Sequence, residues 1–140
     1  MIRRTFLSLL LLAVAPAMAA GEDYVVIVHP DNTVDSLSKD ELSKLFFKRM
    51  TKWKTGGAVA PVDQLQGSPV RAAFSKGVLG KPVGAVVSFW QQQIFAGRDV
   101  PPAEKASDGA VIAFVKANAG AIGYVSSGSV VAGVKVVPVR

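Results

Sequence analysis

The stretch VAPVDQLQGSPVRAAF, residues 59–74, decides how the chain is read. Its first part is apolar and suits a strand. Gly67-Ser68-Pro69 then breaks the run, with Ser68 placed to cap a helix and Pro69 suited to its first turn. A helix that starts this way leaves backbone N–H groups without intrahelical partners, and α/β proteins use such groups to seat anions. The same residues also make an ordinary helix cap, and Pro69 removes one N–H donor from the set. Gln64 and Gln66 fall on one side of an alternating strand and offer hydrogen bonds without charge. Arg71, at the third residue of the helix, either folds back toward an anion or, more commonly, stands as a solvated surface charge.

Outward from this junction the pattern alternates. Tyr24-Val-Val-Ile-Val28 is a short β-branched run suited to a strand buried on both faces, and His29-Pro30-Asp31-Asn32 is turn chemistry. Ser38 and Glu41 form a capping box with Leu37 and Leu42 as its staple. Leu42, Leu45, Phe46 and Met50 mark the buried face of that helix. A second strand is expected at about 58–63, then a helix from Ser68 to Gly80 burying Val70, Phe74 and Val78. A third helix carries Val83, Val86, Val87, Trp90 and Ile94 on one stripe and ends at Gly97. Residues 98–102 read as a loop. A fourth helix from Ser107 or Asp108 to about Asn118 buries Val111, Phe114 and Val115. Ala121-Ile-Gly-Tyr-Val125 and Val134–Val139 are further strands, with Pro138 marking the last as an edge. Strands alternating with helices predict an α/β domain with a mostly parallel sheet flanked by helices. In such sheets ligands sit at the carboxyl ends of the strands, which nominates the loops His29–Thr33 and Asp63–Ser68.

The first residues belong to a different category. Arg3 and Arg4, an apolar run and Ala17-Met18-Ala19 have the layout of a secretory signal, predicting cleavage after Ala19. The apolar run is shorter than the ~20 residues that span a bilayer, so no membrane-spanning segment is expected. Residues 1–19 are therefore expected to be a signal peptide, and 20–140 to form one exported, periplasmic domain. With no cysteine in the chain, disulfides, thiol chemistry and lipid attachment at the cleavage point are excluded. The formal net charge of +6 falls to +4 without Arg3 and Arg4, too small an excess to argue for a nucleic-acid partner.

Little in the chain points to catalysis. No nucleophile–base pair, phosphate-cradling glycine loop or paired acid and base appears, and Ser68 has no recognisable base. His29 is the single histidine, more often a turn residue than a ligand contact, and it cannot build a metal site alone. No cofactor is expected. Trp90 lies on a buried stripe. Lys44, Lys48, Arg49, Lys52 and Lys54 form a basic run, ordinarily a solvated face and alternatively a docking surface for an acidic partner or lipid headgroups.

Four pieces together resemble a known family: LSKDELSKLFFKRMTKWKTGG (37–57), VAPVDQLQGSPVRAAF (59–74), FWQQQIFAG (89–97) and VIAFVKANAGAIGYV (111–125). Their order and content are similar to the phosphate-binding periplasmic proteins that serve ATP-driven phosphate importers. The resemblance covers nearly all of the chain after the signal and extends to one of that family's two lobes, which implies a periplasmic-binding-protein-like domain resembling one lobe of a type II binding protein. In two-lobed members the junction reads approximately Arg-x-Asp-Gly-Ser-Gly-Thr. Carried over by position, Gly67 and Ser68 match, whereas the arginine, aspartate, second glycine and threonine positions hold Gln64, Gln66, Pro69 and Val70. The resemblance implies an oxyanion such as phosphate bound weakly by Gly67, Ser68, Arg71, Gln64, Gln66 and Asn32. The alternative is an interaction module that docks on a membrane transporter or a sensor protein and has lost ligand binding.

Overall fold

The computed structural model describes residues 23–140, so the expected signal peptide and its cleavage point lie outside the described residues. Five strands form one sheet in the order β3-β2-β4-β1-β5: β1 Tyr24–Val28, β2 Ala60–Gln64, β3 Ala103–Lys105, β4 Ala121–Ser126 and β5 Lys135–Val137. The helices are α1 Lys39–Phe46, α2 Pro69–Phe74, α3 Val83–Phe95 and α4 Asp108–Ala117, and α2 runs on through a π-helical turn, Ser75–Leu79. Gly80 closes that turn in the left-handed region, where a residue without Cβ is at no disadvantage.

Alternation along the strands divides the core. Tyr24, Val26 and Val28 of β1 join Ile122 and Tyr124 of β4 on one face, under Leu42, Leu45 and Phe46 of α1 and Val70 and Phe74 of α2. Ile27, Val62, Ala121 and Val125 point to the other face and meet Val111 and Val115 of α4. The sheet is thus covered on both sides, as the apolar runs predict. Tyr124 stacks on Phe74 with ring centroids 4.0 Å apart, and Phe46 lies 4.8 Å from Phe74. Two glycines of the NAGAIGYV segment make this packing possible. A Cβ at Gly123 would come within 2.7 Å of both Val111 and Val62, so α4 lies directly on the strand there. A Cβ at Gly120 would collide with the Ala58 carbonyl oxygen.

The expected cap of α1 forms, Ser38 Oγ accepting from Glu41 N at 3.0 Å, and at the start of α4 Ser107 Oγ accepts from Ala110 N at 3.1 Å. Other expectations need correction. β3 arises from residues just past the expected loop 98–102 and pairs in parallel with β2, Val62 opposite Ala103. It has three residues and buries little, so it leaves almost no apolar signature. Ile94 is exposed, one turn beyond Trp90 and outside the small cluster in which α3 packs, and Phe114 is half-buried.

The correction that bears on function is strand direction. β2, β3 and β4 run in parallel, but β1 is antiparallel to β4 and to β5. The loop after β1 therefore leaves the sheet at the end opposite the carboxyl ends of β2 and β4. Val28 is level with Ile122 and hence with Pro61, three residues before Gln64. At ~3.3 Å per residue that is about 10 Å, with the two loops diverging from there.

Candidate functional site

At the end of β2 the chain turns through Leu65 and Ser68, whose N–H donates to the Leu65 carbonyl at 2.9 Å. Ser68 caps α2, its Oγ accepting from Arg71 N at 3.4 Å, and Pro69 occupies the first turn. Gly67 is exposed, and no atom lies within 4 Å of where its Cβ would be. The expected turn and its cap are therefore present. What surrounds it decides what it can do.

Gln64 is buried and fully engaged. Its Nε2 donates to Asp108 Oδ1 at 2.8 Å and to the Tyr124 carbonyl at 3.2 Å, while its Oε1 accepts from Ser68 Oγ at 3.1 Å. The Ser68 hydroxyl, the natural donor of the seat, is thus turned to a neighbour of its own. Arg71 departs from both sequence expectations: it is neither solvated nor directed to a free anion. Its side chain is 5% exposed, Nη1 donates to the Gln64 carbonyl and to Glu104 Oε1 at 2.9 Å each, and Nε lies 3.4 Å from Asp63 Oδ1. Gln66 does not share a side with Gln64, because β2 ends at Gln64 and Gln66 is exposed beyond it.

Three acids that sequence reasoning passed over complete the cluster. Asp63 is buried beside Arg71 and takes a short hydrogen bond from the Tyr124 hydroxyl. Burial pushes its carboxyl above the ordinary value, against the pull of Arg71 and the hydrogen bonds from Tyr124 and Gln64. Burial, and then the charge of Asp63, raise the Tyr124 phenol. Asp108 sits at the start of α4, where Ser126 N, Ser129 Oγ and Gln64 Nε2 all donate to it. Partial burial alone would raise Asp108, but these hydrogen bonds together outweigh it and hold its carboxyl below the ordinary value. The signal for the cluster was in the sequence: Asp63 is a charge inside an otherwise apolar strand, which requires a buried partner.

The cluster therefore carries one cation, Arg71, against Asp63, Glu104 and Asp108. Even with Asp63 protonated the remaining charge is negative, and like charge repels a phosphate.

Asn32 is not part of this cluster. Its Oδ1 accepts from Val34 N at 2.9 Å, and its carbonyl accepts from Lys135 Nζ. It lies at the far end of the sheet, on a groove of about 310 Å³ whose walls include Leu37, Met50, Trp53 and Arg140. His29 closes its own turn, Nδ1 accepting from Asp31 N at 3.1 Å. Among the described residues no group of three His, Cys, Asp or Glu side chains could hold a metal ion.

The order of these elements can be set beside solved proteins. An ABC-type phosphate transport receptor from Vibrio cholerae superposes with a TM-score of 0.66 at 20% identity, over 84% of this chain and 46% of that one. The fold is that of one lobe of a phosphate-binding receptor. A putative phosphate ABC transporter substrate-binding protein with bound phosphate from Clostridium perfringens matches equally well, at 25% identity over 84% of this chain and 44% of its own. PstS from Borrelia burgdorferi follows at TM-score 0.59 and 14% identity. The chain spans less than half the length of these receptors. No protein-family model and no curated protein matches the sequence.

Proposed function

We propose that this chain is an exported, single-lobe relative of phosphate-binding receptors that works by binding and not by catalysis, and that its Gly67–Ser68 junction holds phosphate or another small oxyanion weakly. The carrying observation is the commitment of the junction's own donors: Ser68 Oγ to Gln64, Gln64 Nε2 to Asp108, and Arg71 to Asp63 and Glu104. An anion arriving at Gly67 meets an exposed turn where Ser68 N and Arg71 N are already engaged and Pro69 has no N–H, and a helix-dipole contribution of only about 0.3–1 kcal/mol at an exposed site. A dissociation constant of about 1 mM or weaker follows, equivalent to about −4 kcal/mol. Calorimetric titration of phosphate into the chain from Ala20, at low salt, tests this. Micromolar binding abolished by Ser68→Ala would overturn it.

A second reading is favoured by the same cluster. With its cation buried and neutralised, the lobe suits docking on a membrane transporter or a sensor protein, with ligand binding lost. Under that reading calorimetry detects no phosphate binding at any concentration, while a partner is retained by the immobilised domain.

A further inference from the structure

The groove beside Asn32 holds about 310 Å³, at the end of the sheet opposite Gly67–Ser68. That is the size of a site for a small molecule of one ring or a fused pair. Main-chain hydrogen bonds fix both of its walls. On one side the chain turns back on itself: Lys52 bridges Ala58, Trp53 N donates to the Gly57 carbonyl at 2.8 Å, and Gly56 N donates to the Trp53 carbonyl at 2.8 Å. The Trp53 indole is held as well, its Nε1 donating to the Gly120 carbonyl at 3.0 Å. On the other side Leu37 N donates to the Pro138 carbonyl and Arg140 N to the Leu37 carbonyl, at 3.0 Å each. Walls tethered in this way keep the cleft open without a ligand, so binding does not have to order them.

The lining combines an apolar part with a charged rim. Leu37 and Leu45 are buried, and Met50 and Trp53 are half-buried. An indole and a thioether lining one groove suit an aromatic ring. Two of the rim charges cancel: Arg140 Nη2 lies 3.0 Å from Glu41 Oε1, while Arg140 Nε donates to Ser36 Oγ. Lys52 and Lys54 remain, exposed and with no ion-pair partner among the described residues, against the single carboxylate of Asp35. The lining side chains thus leave one positive charge in excess beside apolar walls. Inorganic phosphate would gain nothing from those walls, and a neutral hydrocarbon would leave the lysines unanswered. A small organic anion with an aromatic body satisfies both.

We propose that this groove binds small aromatic carboxylates, with the ring against Trp53 and Met50 and the carboxylate at Lys52 and Lys54. The site is separate from the Gly67–Ser68 junction, so its fate is independent of phosphate binding there. The test is an amide NMR titration of the chain from Ala20, which contains the whole described fold, with naphthoate, using naphthamide and inorganic phosphate as controls. Saturable shifts of the Trp53 indole N–H and of the amides around it are expected, with a dissociation constant of about 1 mM or tighter. The amides of Gly67 and Ser68 should stay in place. Naphthamide should bind at least about fivefold more weakly than naphthoate. Naphthoate should lose at least about fivefold in the double variant Lys52→Gln, Lys54→Gln, whose spectrum reports an intact fold because both lysines are exposed. Equal binding of naphthamide, no saturation at the groove, indifference to the double variant, or shifts centred on Gly67 would overturn the proposal. So would the same groove shifts produced by phosphate at equal concentration, since the apolar walls would then play no part.

Discussion

Arg71 Nε lies 3.4 Å from Asp63 Oδ1 with both side chains almost fully buried. The pair joins the first turn of α2 to the last part of β2, and Glu104 brings β3 to the same guanidinium. It is the feature that most separates this lobe from an open anion seat. A cation that could have met a ligand instead holds three elements together.

Removing one member of such a pair leaves an uncompensated charge in the interior. Arg71→Ala should therefore destabilise the fold by about 3–5 kcal/mol. Glu104→Ala should cost much less, because that carboxylate is 35% exposed and water replaces its partner. Urea denaturation of the two variants checks the order. A smaller loss for Arg71→Ala than for Glu104→Ala would contradict the buried-pair assignment.

The two perturbed carboxyls act in opposite directions with pH. Asp63 is raised above the ordinary 3.8, so the folded state holds its proton more tightly than the unfolded chain. Its contribution is fully present below that ordinary value and is lost as pH rises through the raised one. Asp108 is lowered from 3.8, so its contribution is present above that value and is lost as pH falls through the depressed one. Stability measured between about pH 2 and 7 should show both slopes. Asp63→Asn should remove the fall on the alkaline side, and Asp108→Asn the rise on the acid side. A profile unchanged by either substitution would show that these groups do not titrate as their surroundings dictate.

Two glycines give a paired contrast. Gly123→Ala places a methyl 2.7 Å from Val111 and Val62, so α4 must lift or a valine must leave its rotamer. Overpacking of that kind costs about 1–3 kcal/mol. Gly67→Ala meets nothing within 4 Å and should stay within about 0.5 kcal/mol of the parent. Thermal unfolding of both variants separates packing from turn chemistry. An equal loss at the two positions would mean that the turn at Gly67 demands glycine for a backbone reason the geometry does not show.

Much of this architecture was legible from residue pattern. The caps at Ser38, Ser68 and Ser107 and the buried faces of α1 and α2 follow from local spacing, because each is settled within a few residues. Strand direction was not legible, since an apolar run such as Tyr24–Val28 reads the same parallel or antiparallel. That placed Asn32 wrongly beside the junction. Phe114 was expected in the core because periodicity marks a face but not its depth. In the fold it lies at the margin of α4, half-covered, with Lys105 Nζ 5.4 Å from its ring. The acids around Arg71 were missed because Asp63, Glu104 and Asp108 are scattered in sequence and meet only through the order of β2, β3 and α4.

Asp108 offers the most direct test of what keeps the junction closed. Its carboxylate accepts from Ser126 N, Ser129 Oγ and Gln64 Nε2, which is how an external oxyanion would be held. The chain thus supplies its own anion to these donors. Asp108→Ala removes that charge and frees the Gln64 amide and the Ser129 hydroxyl together. At a part-exposed site a unit charge some 4 Å away is worth about 1 kcal/mol or more, so phosphate affinity should rise at least about fivefold. Ser126 ends β4 and Ser129 follows it, at the same sheet end as Ser68 and away from the groove by Asn32. The measurement is phosphate titration of parent and variant side by side, with chloride as the control anion. Unchanged or weaker phosphate binding in an intact Asp108→Ala fold would mean that the internal carboxylate does not compete for the seat.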